Sequence, residues 1–240
     1  MRQMQRVLSL IYPDQCVLCE TRVAHRGGLC ADCWGQTPFL TGLVFHGCGA
    51  SLPGADAEIV FCDECLAMPR PWDAGRAALS YRDAGRRVVL ALKHADRLDI
   101  VPACTEWMMR AGQPVLSPET VLIPVPAHWT RLLTRRFNQA ADLARGLSKL
   151  TGLSVLPDGL LRLKRTAKQD GMSVDERFAN MQGAIAVNPK AVQRVKGRRI
   201  CLIDDVMTSG ATLSVAADAL YDAGAERVCT LVLARVEKAP

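Results

Sequence analysis

Aromatic residues are scarce in this 240-residue chain: Phe, Trp and Tyr together make up 5%. A protein that holds single-stranded nucleic acid by stacking bases needs a row of such rings, so the chain offers few platforms for that mode. No run approaches the roughly 18 apolar residues of a membrane helix, so no membrane insertion is expected. Residues 1–12 hold only a brief apolar stretch around 7–11 and no small-residue cleavage site, which argues against a secretory signal. Without an export signal, the ten cysteines are not expected to form a disulfide framework. Six of them fall in Cys-x-x-Cys pairs, the spacing of reduced, metal-binding thiols, and a cytoplasmic location is expected.

What is present divides into two unlike parts. The hydrophobic share of 49% is enough for a sizeable core, and the length allows one large domain or two small ones. The formal net charge is +6, with −5 carried by residues 14–65, +2 by residues 1–13 and +9 by residues 66–240. An acidic N-terminal part and a basic remainder suit a polyanionic ligand on the basic part, and leave nucleic acid open. A small domain over 1–70 and a larger one over 71–240 are expected, with Pro69, Arg70 and Pro71 as the linker.

The N-terminal part carries the cysteines. Cys16 and Cys19 form one knuckle, Cys30 and Cys33 a second, with Gly27 and Gly28 between them for a tight turn. Four thiolates close a tetrahedral structural Zn²⁺ site and leave no open position for catalysis. A second set has three cysteines, Cys48, Cys62 and Cys65, with His46 two residues before Cys48. Either His46 completes a Cys₃His zinc site, or the second ribbon is empty and His46 lies at the surface. A unit this short needs such staples, because its hydrophobic core alone is marginal.

The chemistry sits near the C-terminus. Residues 200–203 are a continuously apolar run, the pattern of a strand buried on both faces of a parallel sheet. Asp204 and Asp205 follow, then Val206 and Met207, then Thr208, Ser209, Gly210, Ala211 and Thr212, where a helical pattern begins. Ligands of open α/β sheets bind outside the carboxyl ends of strands. A hydroxyl- and glycine-rich turn opening a helix presents N–H groups at the positive end of the helix dipole, which suits phosphate. Two carboxylates beside it suit vicinal hydroxyls or a metal, and the combination describes a sugar phosphate. The bland alternative is a strand, an acidic turn and a helix with no ligand.

Upstream, 77–81 and 121–126 read as strands, the second stopped by prolines, and 86–93 as a helix running to Lys93, His94 and Arg97. A long helix is expected from about 137 to 150. Arg131, Arg135 and Arg136 precede it, either to grip a diphosphate bidentately or as a solvated face. His94 is a general base or a solvated helix-end residue. Arg162, Lys164, Arg165 and Lys168 form a basic run expected to be a mobile loop, and 187–195 a connection. A strand at 199–204, a helix at 212–222 capped by Gly224, and a strand at 227–234 complete an alternating pattern that implies a parallel sheet.

The stretch 200–213 resembles the phosphoribosyl-diphosphate (PRPP) motif of type I phosphoribosyltransferases, with Ser209 in place of the second threonine. Nearly the whole chain resembles the ComF family, a double zinc ribbon joined to a type I phosphoribosyltransferase domain. The resemblance rests on the cysteine knuckles, Tyr81, Leu92, Lys93, His94, Arg97, Pro124, Pro126, Arg136, Phe137, Asn138, Gln139, Arg165, Gln169, Arg177, Asn180 and the acidic pair. The family usually has a cysteine where this chain has Phe45 and a glycine where it has Arg136. The resemblance implies an α/β fold: a parallel sheet with helices on both faces, preceded by a small zinc-ribbon domain. It implies structural Zn²⁺ at one or two sites and Mg²⁺ brought with PRPP.

The implied PRPP site is Asp204, Asp205, Val206, Met207, Thr208, Ser209, Gly210, Ala211 and Thr212, with Lys93, Arg97, Arg131 and Arg136 for the diphosphate. Asp204 and Asp205 are the implied catalytic pair. The implied role is in DNA uptake during natural competence or in nucleotide salvage. The alternative to an enzyme is a non-catalytic nucleotide- or single-stranded-DNA-binding accessory protein that works with competence-machinery proteins.

Overall fold

The computed structural model describes residues 14–24, 28–54, 59–93, 97–127, 138–164 and 173–237. Its centre is a five-stranded, all-parallel sheet in the order β1-β7-β6-β2-β3. The strands are β1 (Ala74–Ser80), β2 (Val121–Pro124), β3 (Ser154–Val155), β6 (Arg199–Met207) and β7 (Arg227–Arg235). β6 is the strand whose apolar run stands out in the sequence. Its side chains alternate across the sheet: Ile200 and Leu202 join one core cluster, Cys201 and Ile203 the other. Burial on both faces is why the run reads as continuous rather than alternating.

One face is covered by α3 (Asp83–Lys93), α4 (Val101–Gly112) and α5 (Gln139–Thr151). They present Val88, Val89 and Leu92, then Cys104, Trp107 and Met108, then Leu143, Ala144 and Leu147 to one cluster. Burying an aliphatic side chain of this size contributes about 1.5–3 kcal/mol. The other face is covered by α8 (Ala211–Asp222) through Leu213, Ala216, Ala217 and Leu220. Over α8 lies a hood made of the antiparallel pair β4 (Leu160–Arg162) and β5 (Ile185–Val187) with α6 (Val174–Met181). A short helix, α7 (Val192–Val195), leads back to β6.

Two segments differ from expectation. Arg162, read with its basic neighbours as loop, is a strand residue paired with Ile185. The 187–195 connection holds the end of β5 and α7, because Ile185, Ala191 and Val195 are buried in the shared core. α4, to which the sequence reading assigned no element, carries its buried residues at positions 103, 104, 107 and 108, a helical spacing.

The N-terminal part has two short helices, α1 (Ala31–Gln36) and α2 (Asp63–Ala67), and docks along the outer edge of β1. Leu40 N–H donates to the Ala78 carbonyl, Ser80 N–H to that of Pro38 and Gly75 N–H to that of His46, each at 2.9 Å. The ribbon thereby covers a sheet edge that would otherwise expose unpaired backbone groups. The approach is close: a Cβ on Gly49, which has φ +68°, would stand 2.8 Å from the Ala77 nitrogen. Residues 69–71 are no free spacer, because the Arg70 side chain is 2% exposed and Trp72 Nε1 donates to the Gly47 carbonyl at 2.7 Å. No helix among the described residues is long and apolar enough to cross a membrane.

Candidate functional site

The cysteines gather as two clusters. The Sγ atoms of Cys16, Cys19, Cys30 and Cys33 lie within 4.8 Å of one another, as do those of Cys48, Cys62 and Cys65. Both knuckle geometries have a common origin. Cys30 and Cys62 are extended residues that immediately precede α1 and α2, and the first helical turn brings Cys33 and Cys65 back over them. Hydrogen bonds with the Thr21 side chain and backbone lower the Cys19 thiol to about 6. In the second cluster the hydrogen bond with Cys48 is the main cause that lowers Cys65 to about 5, and the neighbouring Arg70 guanidinium acts the same way. Cys48 moves the opposite way, held protonated by Cys65 and by burial. A thiolate-forming group of thiols is the donor set that Zn²⁺ takes. The expected fourth ligand of the second cluster, His46, stands outside the thiol group: its ring meets Phe61 edge-on at 5.8 Å.

At the carboxyl end of β6 the strand runs on through the acidic pair to Met207. Asp205 N–H donates to Asp204 Oδ1 at 2.8 Å, which turns the first carboxylate back on the backbone. Lys93, the last residue of α3, sets its Nζ 3.2 Å from Asp205 Oδ2. Asp204 has some surface open to solvent, yet protein surrounds its carboxyl, and burial raises it to about 8. The adjacent Asp205 charge adds to the rise, while Lys93 and Arg162 oppose it. A carboxyl that burial keeps protonated until a cation or a donor arrives, with a second carboxylate beside it, is suited to a metal or a diol.

Residues 208–210 then turn the chain into α8. Gly210 is the N-cap, with φ +84°. The Ser209 hydroxyl accepts from Ala211 N–H at 3.4 Å. A Cβ on Gly210 would stand 2.9 Å from Arg70 Nη1 and 3.2 Å from the Trp72 ring, so this glycine is required by the close approach of protein behind the turn. A side chain at this position would strike Arg70 and Trp72.

Of the other expected site residues, Lys93 is brought to the acidic pair. Arg97 is held by Asp99 at 2.9 Å and donates to the Val17 carbonyl of the first knuckle at 3.3 Å. His94, Arg131, Arg135 and Arg136 lie outside the described residues, as do Arg165, Lys168 and Gln169. Arg162, placed in the sequence only in a basic run, acts on Asp204 from β4. Asn138 joins two expected motifs, accepting from Ala140 N–H as the α5 N-cap and donating to the Val125 carbonyl at 3.0 Å. A cavity of about 220 Å³ lined by His46, Asp73, Arg199 and Arg227 lies at the opposite, amino-terminal ends of the strands, away from the acidic pair.

Three residues to which the sequence assigns no part in the site are joined to it. Glu64 lies inside the Cys62–Cys65 knuckle of the second cluster, called the second knuckle from here on, and its Oε2 accepts from Arg235 Nη2 at 2.9 Å. Its Oε1 is 3.4 Å from Arg70 Nη2. The two arginines donate onward to the backbone of the turn: Arg235 to the Met207 carbonyl at 3.2 Å and to that of Thr208, Arg70 to that of Ser209.

Comparison with known proteins follows the same division. A family model described as a double zinc ribbon domain matches residues 7–66, and one described as a phosphoribosyl transferase domain matches residues 140–239. Competence protein F of Haemophilus influenzae is 26% identical over 227 residues, covering 92% of this chain and 96% of that protein. The DNA utilization protein YhgH of Escherichia coli is 27% identical over 233 residues, covering 94% and 99%. An adenine phosphoribosyltransferase of Nocardia farcinica is 31% identical over 104 residues, 40% of this chain and 54% of that protein. The chain thus combines a double zinc ribbon with a phosphoribosyl transferase domain, and over most of its length it is similar to Competence protein F and to YhgH.

Proposed function

We propose that the protein binds Mg²⁺–PRPP, or a related ribose 5-phosphate ligand, over residues 204–212 and transfers or recognises its phosphoribosyl group. The observation that carries this reading is the end of β6. A half-buried acidic pair stands beside a turn that enters a helix through Gly210 at φ +84°, at the carboxyl edge of a parallel sheet. In this reading the 208–212 turn takes the 5-phosphate, with the α8 dipole and the Thr208, Ser209 and Thr212 hydroxyls. Asp204 and Asp205 accept from the ribose 2- and 3-hydroxyls and offer the oxygens to which Mg²⁺ would bind. Magnesium, when bound, supplies charge neutralisation for the departing diphosphate. Lys93, beside the acidic pair, is placed to move to diphosphate oxygens when Asp205 turns to the ligand. Transfer breaks the C1–O bond, the electron pair leaves with diphosphate, and an acceptor nucleophile forms the new bond at C1. The protein's share of such a reaction is positioning and electrostatics.

The relatives' names supply the second reading, a DNA-handling accessory that keeps the pocket for recognition alone. The +9 charge of residues 66–240 is its physical support. Calorimetry with PRPP, with and without Mg²⁺, and with single-stranded DNA at two salt concentrations separates the two. Saturable, magnesium-dependent PRPP binding supports the first reading. Its absence, together with steeply salt-dependent DNA binding, overturns it. A screen of bases for PRPP-dependent diphosphate release then tests turnover.

A further inference from the structure

The structure assigns to Glu64, Arg70 and Arg235 the role of positioning residues for the anion-binding turn, and makes the second cysteine knuckle the anchor of that turn. The inference rests on the reading of 208–212 as a phosphate cradle and names what holds the cradle in shape.

The argument begins with the peptide plane. In a trans peptide the carbonyl of one residue and the N–H of the next point in opposite directions. Arg235 and Arg70 together take the carbonyls of Met207, Thr208 and Ser209, three consecutive units. The N–H group that shares each of those peptide planes, on Thr208, Ser209 and Gly210, is thereby turned away from the guanidinium that holds its carbonyl. Carbonyl dipoles that would repel an anion are engaged by guanidinium groups behind the turn. Two arginines against one carboxylate also leave one net positive charge there, which favours an anion in front.

Each arginine is itself fixed. Arg70 is 2% exposed and Arg235 4%, and Arg235 Nη1 donates in addition to the Val236 carbonyl at 2.7 Å. Arg70 lies 5.8 Å from the centre of the Trp72 ring. Their common partner is Glu64, whose two carboxylate oxygens face one arginine each. Glu64 stands in α2 between Cys62 and Cys65, so its position is set by the turn that brings those thiols together. A guanidinium can make several directed bonds in one plane, and a lysine cannot. Charge alone therefore does not perform this task.

The test uses full-length zinc-loaded protein and two measurements. One is the affinity for ribose 5-phosphate by calorimetry. The other is hydrogen exchange, without ligand, of the Ala211 and Val236 amides, which donate to the Ser209 hydroxyl and the Met207 carbonyl. Glu64→Gln keeps size and leaves every thiol in place. It is expected to weaken ribose 5-phosphate at least tenfold and to speed exchange at both amides several-fold, with zinc content unchanged. Arg199→Ala, which breaks an exposed pair at the other end of β6, is expected to change neither. Faster exchange with unaltered affinity would mean that the relay orders the turn without serving the anion, and overturns the proposal. Weaker affinity with unaltered exchange would reduce the effect to charge, and overturns it equally. If Glu64→Gln loses zinc, Arg235→Lys replaces it, and retention of native affinity and exchange by that variant is the overturning result. Failure of the native protein to bind ribose 5-phosphate sinks the cradle reading itself, while the exchange comparison still decides whether the knuckle holds the turn.

Discussion

The two cysteine clusters share a Cys-x-x-Cys turn at the start of a short helix but differ in what surrounds them. The first has four thiols on a knuckle whose ties to the sheet domain include Val17, buried in the core with α3 and α4, and the Arg97 bond. The second has three thiols, and two of them, Cys48 and Cys65, lie in the same core cluster as α8 and Met207. Between its ligands stands Glu64, two hydrogen-bond steps from the candidate phosphate turn. The comparison teaches that a ribbon can be a staple for itself or a structural part of a neighbouring site, and that cysteine spacing does not distinguish the two.

The sharpest way to break that contrast is to remove one thiol from each cluster. Metal-binding energy is folding energy in units this small, so both variants are expected to lose ribbon stability. Cys62→Ser should also abolish measurable PRPP binding, because the turn behind the site loses its anchor. Cys19→Ser should cost PRPP affinity far less. Equal losses of affinity, read by calorimetry alongside metal analysis, would erase the distinction.

Gly210→Val attacks the same anchor from the turn side. A β-branched residue at φ +84° and a Cβ 2.9 Å from Arg70 Nη1 combine backbone strain with overpacking. The expected cost is about 1–3 kcal/mol for the overpacking, on top of the strain. PRPP affinity should fall by about ten- to a hundredfold, taking each 1.4 kcal/mol as tenfold. Gly197→Val is the control: φ is +66° there, but a Cβ would meet nothing within 4 Å. It should lower Tm and leave PRPP affinity nearly intact. Parallel losses of affinity in the two variants would show that strain alone, not the Arg70 contact, is at work.

Much of this site was legible from local pattern. The β6 run, the acidic pair and the turn chemistry are consecutive residues, and the alternation of strand and helix gives the parallel sheet. The helical spacing of 103, 104, 107 and 108 is equally local and equally present in the sequence. Arg162 was misread because a charge run says nothing about strand pairing with residues 185–187, and the pairing is decided by burial of Leu160 and Ile185. The Glu64–Arg235 bond spans 171 positions, and no periodicity or motif spacing reports a contact of that range. The close contact that requires Gly210 is equally remote in sequence: the atoms it must clear belong to residues 70 and 72.

Removing the acidic pair sharpens the contrast from the ligand side, since it leaves both clusters and the arginine relay untouched. Asp204→Asn with Asp205→Asn improves the net charge for a polyanion, so a mere capping role predicts unchanged or tighter binding. Charge-assisted hydrogen bonds contribute about 1.5–3 kcal/mol each. If the pair seats the diol and magnesium, PRPP affinity should therefore fall at least about tenfold. Unchanged or tighter magnesium-dependent binding would overturn the site reading.

The smallest expected effect concerns the charge state of that pair. Asp204 is raised to about 8 in the folded protein, from an ordinary value near 4, chiefly by burial and then by Asp205. A raised carboxyl favours the fold while it keeps its proton. The stability it contributes is full below about pH 4 and is lost as pH climbs through about 8, because over that window the unfolded chain ionises and the folded chain resists. Asp204→Asn should consequently raise Tm at pH 8 and leave it nearly unchanged at pH 4. Binding of a magnesium-bearing ligand requires the ionised form and expels the proton. Affinity should thus rise with pH between 6 and 8, by at most about tenfold per unit, and level off above 8. In Asp204→Asn the slope should vanish, whatever the remaining affinity. Calorimetry in two buffers of different ionisation enthalpy counts the proton directly. A native protein that binds magnesium–PRPP with no pH slope and no proton release between pH 6 and 8 would remove Asp204 from the binding step, and with it the need for the acidic pair to lie beside a turn anchored by the second knuckle.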